Sequence, residues 1–312
     1  MIADNRRAEE LPAIVPPIVF LLGAGASIDY KYPTGPELIG SLIEEMQDIN
    51  RPFVKSLGQL SKFDNVDIPE SLIEEFCYQL SHCKQNTVDE FLNDNSKFRQ
   101  LGAYAIALFC IKKEDQNKPG SKDGWYPFLF DLIKPNDNAF SHDISGIFTF
   151  NYDRSLEQYF YKTIKNSYTD NYENAIAKFE SIPYYHLNGT VGEIKERPYQ
   201  STEDLNIIKQ AGDSLLFIFD QGLGESKEYH EAAKIIAKAQ TIFILGFGYH
   251  EELLYKLSFP QNFKGKNIFG LTYADEDRSK FLNLFKDEKA HHSELEESIE
   301  NFLRFCYAGK IL

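Results

Sequence analysis

Cysteine is scarce in this sequence, and the few cysteines lack the spacing of a zinc site. Cys77, Cys83, Cys110 and Cys306 are scattered along the chain, and no two of them form a C-x-x-C pair. Structural zinc sites usually draw their ligands from closely spaced pairs, so we expect no metal in this protein. Dispersed thiols of this kind are typical of reduced, buried side chains in a cytosolic protein.

Long hydrophobic runs and basic clusters are also missing. Apolar stretches such as 18–22 and 242–245 are too short to cross a bilayer, and residues 1–17 lack the apolar centre of a signal peptide. The formal net charge of -14 argues against a broad phosphate-binding surface, because such a surface requires Lys and Arg. We therefore expect a soluble, cytoplasmic protein that spans no membrane and does not bind nucleic acid directly.

The chain has an ordinary globular composition, with 43% hydrophobic and 26% charged residues. Apolar runs with strand character are separated by helical patterns, for example near 227–238 and 251–257. This alternation predicts an α/β fold with a Rossmann-like, doubly wound parallel sheet. The predicted strands are 17–22, 144–150, 182–187, 214–219, 241–245 and 267–271.

The pattern changes between the first two predicted strands. Residues 51–135 carry apolar side chains at helical spacing and few strand signals, which predicts an inserted helical subdomain. Residues 1–50 and 136–312 would then form the domain that contains the sheet. A helix is expected from about Gly35, where the following Pro and Glu suit a first turn, and another amphipathic helix is expected over 294–307.

A glycine-rich turn, GAGAS, follows the first predicted strand. Glycines at this point let a backbone approach a pyrophosphate closely, and the next helix offers its N–H groups to the phosphates. Ile28 stands where the dinucleotide fingerprint G-x-G-x-x-G has its third glycine. The alternative interpretation is a tight strand–helix turn in which the hydroxyl of Ser27 caps the helix.

Two further polar motifs follow predicted strands. In FTFNYD, Asn151 and Asp153 come directly after a strand, so they either project into a ligand crevice or cap the following helix. In YYHLNGT, His186 stands at a strand end, where it is either a catalytic base or a structural histidine. We expect all such strand ends to meet at one edge of the sheet.

The motif ILGFGYH is a second glycine-bearing turn after an apolar strand. Gly246 and Gly248 could admit the adenosine half of a dinucleotide, or they could allow close packing of the chain. His250 competes with His186 for the role of base, with a capping or adenosine-side role as the alternative. His291 and His292 lie in a charged stretch that we expect to be solvated.

These motifs, in this order, resemble those of the sirtuin superfamily. The similarity is greater to the bacterial sirtuin-like NADases of antiphage defence than to the deacetylases. It covers 18–38, 86–92 (NTVDEFL), 148–153, 184–189 and 244–249. The resemblance implies that residues 1–50 and 136–312 form a sirtuin-like Rossmann NAD-binding domain.

Several differences from the deacetylases point away from protein deacylation. The four-cysteine zinc module is missing, and Phe150 stands where the deacetylases have the glutamine of a QNID-like turn. The tract KYPTGPEL replaces the arginine-containing, GIPDFR-like tract that follows the glycine loop in those enzymes. The change from HLHG to HLNG leaves His186 in place.

The resemblance also implies a role for each matching residue. Asn151 would hold the reactive ribose and its attacking water, Asp153 would bind the nicotinamide carboxamide, and His186 would be the general base. Gly246 and Phe247 would line the adenosine side. Binding of the pyrophosphate and the neighbouring ribose falls to Gly23, Ala24, Gly25 and Ser27.

The expected activity is hydrolysis of NAD⁺, as substrate, to nicotinamide and ADP-ribose without a metal, in abortive infection of phage-attacked cells. A non-hydrolytic sensor of NAD⁺ or ADP-ribose that regulates a partner is the alternative from another class. An ADP-ribosyltransferase is the alternative within the enzymes. Such an NADase must be controlled, so we expect a homo-oligomer or a separate partner such as a HerA-type ATPase.

Overall fold

Short apolar runs form the strands of a single parallel sheet. The structure is a computed structural model that describes residues 12–47, 51–63, 68–116, 124–133, 143–168, 172–272, 275–293 and 298–308. The six strands follow one another in the sheet in the order β3-β2-β1-β4-β5-β6, and every neighbouring pair is parallel. They are β1 (Ile18–Leu22), β2 (Ile144–Thr149), β3 (Tyr184–His186), β4 (Thr241–Leu245), β5 (Asn267–Leu271) and β6 (Lys289–His292).

This strand order is that of a Rossmann-like, doubly wound sheet, so the predicted fold class is confirmed. Successive strands are added on one side of β1 as far as β3, and the chain then crosses to β4 on the other side. The order therefore reverses between β1 and β4. In open α/β sheets, ligands bind outside the carboxyl ends of the strands near such a reversal.

Helices connect the strands and cover both faces of the sheet. Within the described ranges they are α1 (Gly35–Met46), α2 (Pro52–Leu60), α3 (Glu70–Ser81), α4 (Val88–Asp94), α5 (Arg99–Lys113), α6 (Tyr126–Ile133), α7 (Ser155–Ser167), α8 (Tyr172–Glu180), α9 (Leu205–Ser214), α10 (Lys227–Lys238), α11 (Glu251–Lys256), α12 (Asp275–Leu284) and α13 (Ile299–Ala308). The helix expected from Gly35 begins there, and Thr34 and Glu37 form a capping box at its start.

Alternate side chains of the central strands enter two different cores. Phe20, Phe243 and Phe269 stack across β1, β4 and β5, with ring centroids 5.0 and 4.9 Å apart, and are covered by α6, α7, α8 and α13. Val19 and Ile242 point to the opposite face, where α10, α11 and α12 pack. Because both faces are covered, these strands are apolar throughout, which made them predictable.

A third core is formed mainly by α2–α5, which lie between β1 and β2 in the sequence. It is built around aromatic rings such as Phe76, Phe91 and Phe98, and residues 101–111 of α5 are all buried. Side chains of α1 and α9 pack in the same core. The helical region therefore includes parts of the chain outside the predicted range 51–135.

The prediction of a strand over 214–219 is wrong. Ser214 ends α9, and the apolar residues after it form turns rather than a strand. Leu215 and Phe217 pack into the helical core, whereas Ile218 packs into the core beside the sheet. The run is apolar because it fills two cores, and from sequence alone such a run resembles a buried strand.

The edge strand β6 is missing from the predictions because its sequence is polar and charged. The prediction that His291 and His292 are solvated is wrong for His292, which is only 7% exposed. Burial lowers the pKa of His292 to about 4. The predicted C-terminal helix is observed as α13, and residues 294–297 lie outside the described ranges. No helix in the described ranges is long and apolar enough to span a membrane.

Candidate functional site

The carboxyl ends of β1, β2 and β3 are aligned, and this brings three of the predicted motifs together. Leu22, the last residue of β1, is paired with Thr149 in β2, and Thr149 is paired with His186 in β3. Chain segments that leave neighbouring parallel strands at the same level must lie side by side. The glycine-rich turn, the Asn151 turn and His186 are therefore neighbours at one edge of the sheet.

Hydrogen bonds connect the first two of these motifs directly. The Nδ2 group of Asn151 donates to the main-chain oxygen of Gly23 at 2.9 Å and to Oγ of Ser27 at 3.0 Å. The Ser27 hydroxyl in turn donates to Oδ2 of Asp153 at 2.8 Å. The other carboxylate oxygen of Asp153 accepts from the Ser155 amide at 3.0 Å and from the Ser155 hydroxyl. These contacts form one continuous polar network.

Asp153 lies at the buried end of this network, with 7% of its surface exposed. Burial raises its pKa above the ordinary value, although the hydrogen bonds from Ser155 and Ser27 act in the opposite direction. Both of its oxygens accept hydrogen bonds from protein groups, and one of them accepts from the N–H of Ser155, the first residue of α7. The expected contact of Asp153 with nicotinamide stays a prediction.

Asn151 is more accessible than Asp153, and its side chain is only partly used by the protein. The Nδ2 group makes the two bonds described above, and no donor among the described residues bonds the amide oxygen. The main-chain N–H of Asn151 donates to Oγ1 of Thr149 at 3.0 Å, which fixes the turn. Asn151 therefore offers an oriented, uncharged acceptor for a hydroxyl group or a water molecule.

His186 is bound on both of its ring nitrogens. Nδ1 lies 2.7 Å from the main-chain oxygen of Asn151, and Nε2 lies 2.6 Å from Oε1 of Glu157 on α7. The Tyr184 hydroxyl donates to the other oxygen of Glu157 at 3.1 Å. His186 is thus linked both to the Asn151 turn and to a carboxylate.

The environment of His186 favours the protonated ring. Burial lowers its pKa, but the charge and the hydrogen bond of Glu157 act against burial and raise the pKa above the ordinary value. The side chains of His186 and Glu157 are 9% and 12% exposed, so water screens this ion pair only weakly. The sequence alone does not give this direction of the shift.

The glycines near the strand-order reversal make a close backbone contact. The N–H of Gly23 donates to the Leu245 oxygen at 2.9 Å, and that of Gly25 donates to the Gly246 oxygen at 2.8 Å. A Cβ at Gly246, where φ is +63°, would lie 2.2 Å from the amide nitrogen of Ala26. A Cβ at Gly23 would likewise lie 2.5 Å from the Gly246 oxygen, so close approach of two chain segments explains Gly23 and Gly246.

This contact limits what the turn after β1 can offer to a phosphate group. The N–H groups of Gly23 and Gly25 already donate to the main-chain oxygens of Leu245 and Gly246, and that of Ala26 donates to the Gly23 oxygen at 2.9 Å. The expected role of Gly23, Ala24, Gly25 and Ser27 in binding a pyrophosphate stays a prediction. The turn continues into a short 3₁₀ helix, Ala24–Tyr30, and not directly into an α-helix.

The turn after β4 presents mostly apolar groups. Phe247 is 3% exposed and stacks on Phe150, with the ring centroids 4.7 Å apart. His250 precedes the first residue of α11, and within the described residues no hydrogen bond or ion pair connects it with Asn151 or His186. It lies instead near Asp89 of the NTVDEFL motif, whose pKa is raised by burial and held down in part by the Ile218 amide and by His250.

Several contacts connect the helical region with the residues around the site. Asp89 accepts a hydrogen bond from the Ile218 amide at 3.0 Å, and Arg99 pairs with Asp220. These contacts fix residues 215–220 beside the end of β3, where the Leu216 amide donates to the Asn188 oxygen at 2.9 Å. The Tyr126 hydroxyl, at the start of α6, bonds Ser155, and Trp125, which precedes α6, donates to the oxygen of Ala26 at 2.8 Å.

A cluster of buried charged side chains adjoins this polar network. The carboxylate of Glu114, at the end of α5, pairs with Arg154 and Arg197 at 2.7 and 2.6 Å. Arg154 and Glu114 are fully buried, and further N–H groups of both arginines donate to the main-chain oxygen of Pro198. The buried Nε of Arg197 has no hydrogen-bond partner among the described residues. Because Arg154 follows Asp153 in the chain, this cluster anchors the turn that carries Asn151.

Neither Glu157 nor Tyr184 nor the contacts made by α6 were predicted from the sequence. A glutamate in the first turn of a helix ordinarily compensates the helix dipole, so Glu157 gave no separate signal. Tyr184 and His186 are two residues apart in a strand and therefore project to the same face. That spacing is the only local sign that the two side chains share a partner.

Metal ligands are not grouped in the described parts of the chain: no three or more His, Cys, Asp or Glu side chains lie close enough there to hold an ion.

The fold and the site define an α/β protein with a Rossmann-like sheet and a polar network at its carboxyl edge. A scan against protein-family models finds no match, and a search of curated proteins finds no relative.

Proposed function

We propose that this protein hydrolyses NAD⁺ to nicotinamide and ADP-ribose at the edge formed by β1, β2 and β3. The observation that carries the proposal is the position of Asn151. Its amide is oriented by Gly23 and Ser27, its side-chain oxygen has no donor among the described residues, and its main-chain oxygen holds His186. An uncharged acceptor and a histidine are therefore adjacent beside the strand-order reversal.

The chemistry of NAD⁺ cleavage suits such a site. Nicotinamide leaves as a neutral base from a cationic centre, so no strong acid is needed to expel it. The enzyme must stabilise an oxocarbenium-like ribose and orient one water molecule towards it. The amide oxygen of Asn151 can accept a hydrogen bond from that water without changing its own charge.

The other residues act on Asn151 and His186 in this proposal. Ser27 and Asp153 keep the Asn151 amide in one orientation, since each hydrogen bond of the network fixes the next group. Asp153 is thus proposed as a positioning residue, in addition to the nicotinamide contact that the resemblance implies. The buried carboxylate of Glu114 keeps the same turn in place through its ion pair with Arg154.

A sensor that binds NAD⁺ or ADP-ribose without cleaving it is the second candidate. This candidate is favoured because both oxygens of Asp153 and both ring nitrogens of His186 already form hydrogen bonds with protein groups. Such a site could recognise a ligand by its shape and leave the bonds of that ligand intact. A role in antiphage defence, with control by oligomerisation or by a partner, remains part of the proposal on either account.

Product analysis separates these functions. Purified protein is incubated with NAD⁺, and nicotinamide, ADP-ribose and protein-bound ADP-ribose are measured over time by chromatography and mass spectrometry. Hydrolysis predicts nicotinamide and free ADP-ribose in equal amounts. Nicotinamide without free ADP-ribose would indicate transfer, and retention of intact NAD⁺ on the protein would indicate the sensor. Either of these two results contradicts the proposal.

A further inference from the structure

We propose that Glu157 is a positioning residue that, with the main-chain oxygen of Asn151, holds the His186 ring with a proton on each nitrogen. The geometry carries this inference. A carbonyl oxygen only accepts hydrogen bonds, so Nδ1 of His186 must donate at the 2.7 Å contact with Asn151. Nε2 faces a carboxylate oxygen at 2.6 Å, so one proton also lies between this pair.

The surroundings of the pair place that second proton on the histidine. The Tyr184 hydroxyl donates to Oε2 of Glu157 at 3.1 Å, which leaves Oε1 to accept from the ring. The charged groups that face His186 are Glu157 from α7 and Asp153 from the turn after β2, and Tyr184 faces it from β3. Both carboxylates favour a positive ring.

This arrangement has a consequence for the proposed reaction. A ring with two N–H groups donates hydrogen bonds and has no lone pair with which to accept a proton. In this arrangement His186 therefore cannot act as the general base that the resemblance implies. It gains a lone pair on Nε2 only when its proton passes to another base or when the contact with Glu157 opens.

Only the catalytic meaning of this inference rests on the proposed function. In an NADase, Glu157 would raise the pH at which His186 becomes a base, so the acid limb of the rate profile would lie above that of a Glu157→Gln variant. The protonation state itself is a property of the resting protein. It can be measured without any substrate.

Nuclear magnetic resonance of the histidine side chains tests the inference directly. The whole chain is labelled with ¹⁵N-histidine, and the His186 signals are identified by their absence from a His186→Gln variant. At pH 7.5 we expect both ring nitrogens of His186 to be protonated in the wild type. In Glu157→Gln we expect the ratio of protonated to neutral ring to fall at least roughly tenfold, because an opposite charge at contact distance is removed.

Controls keep the inference open to refutation. Glu173→Gln, an exposed change in the first turn of α8, should leave the His186 signals unchanged. A neutral His186 ring in the wild type at pH 7.5 would overturn the inference even if Glu157→Gln does not fold. An unaltered, doubly protonated ring in folded Glu157→Gln would overturn it too. Nicotinamide release is followed on the same samples, and absence of release with a protonated wild-type ring would refute only the proposed function.

Discussion

The two glycine-bearing turns at the centre of the sheet have similar sequences but different surroundings. The turn after β1 joins a polar network through Gly23 and Ser27, which bond to the Asn151 side chain. The turn after β4 presents Phe247 and Tyr249, which are 3% and 2% exposed. Polar side chains therefore lie in the half of the sheet that contains β2 and β3, which we call the polar half. In the other half, the turn after β4 presents buried aromatic side chains.

The two halves are also held in place by different forces. Behind the Asn151 turn, Glu114 binds two buried arginines, and the position of that turn depends on charge pairing. At the β4 turn, Gly246 lies against the backbone of residues 25–26, and its position depends on the lack of a side chain. A glycine motif at a strand end can thus be required by close packing of the chain alone.

The largest effect is expected from removal of the buried carboxylate in Glu114→Ala. This change leaves Arg154 and Arg197 buried without their anionic partner, which should cost about 3–5 kcal/mol of unfolding free energy. Urea denaturation of both proteins measures the difference. As a matched control, Glu45→Ala breaks the partly exposed pair with Lys112, and should cost no more than about 1 kcal/mol. Equal costs for the two variants would refute the proposed anchoring by buried charge.

A smaller but clear loss is expected from Gly246→Ala. Its positive φ is unfavourable for alanine, and the new Cβ would meet main-chain atoms that cannot move aside. We expect a loss of about 2–4 kcal/mol in urea denaturation. Gly248→Ala is the control, since its Cβ would meet only side-chain atoms of His250 and Asp277, at ordinary distances of 3.5 and 3.8 Å. If both variants unfold alike, the close contact between the two turns is not what requires Gly246.

The smallest effect concerns the ion pair of the polar half and depends on pH. Because the folded-state pKa of His186 is raised, the stability from this group is fully present below the unfolded-state pKa. That stability is lost as the pH rises through the folded-state value. The deficit of Glu157→Gln relative to wild type should therefore be larger at pH 6 than at pH 9.5 in urea denaturation. A deficit that grows with pH would contradict the raised pKa.

The sheet was largely predictable because its central strands are buried on both faces. β4 and β5 match the predicted runs, and β1 and β2 differ from them by one residue. β6 was not predictable, since its charged edge sequence KAHH gives no apolar signal. Residues 214–219 were wrongly predicted to form a strand, because their apolar side chains fill two cores without joining the sheet.

The site was predictable only in part. Asn151, Asp153 and His186 were expected to converge, because parallel strands end at one edge, and hydrogen bonds now link them with Ser27. Glu157 could not be assigned, since which face of α7 meets β3 depends on packing across the fold. Sequence also cannot reveal whether the amide of Gly25 faces a ligand or, as here, the oxygen of Gly246.

The rate of nicotinamide release from NAD⁺ by Asn151→Ala and by His250→Ala shows whether the Asn151 turn or the turn after β4 is needed for NAD⁺ cleavage. If the polar half carries the chemistry, Asn151→Ala should lose about two to three orders of magnitude in rate, because an orienting group is removed. His250→Ala, at the β4 turn, should stay close to the wild-type rate. Thermal unfolding establishes that both variants are folded. A folded Asn151→Ala variant with the wild-type rate, or loss of release only in His250→Ala, would contradict the account.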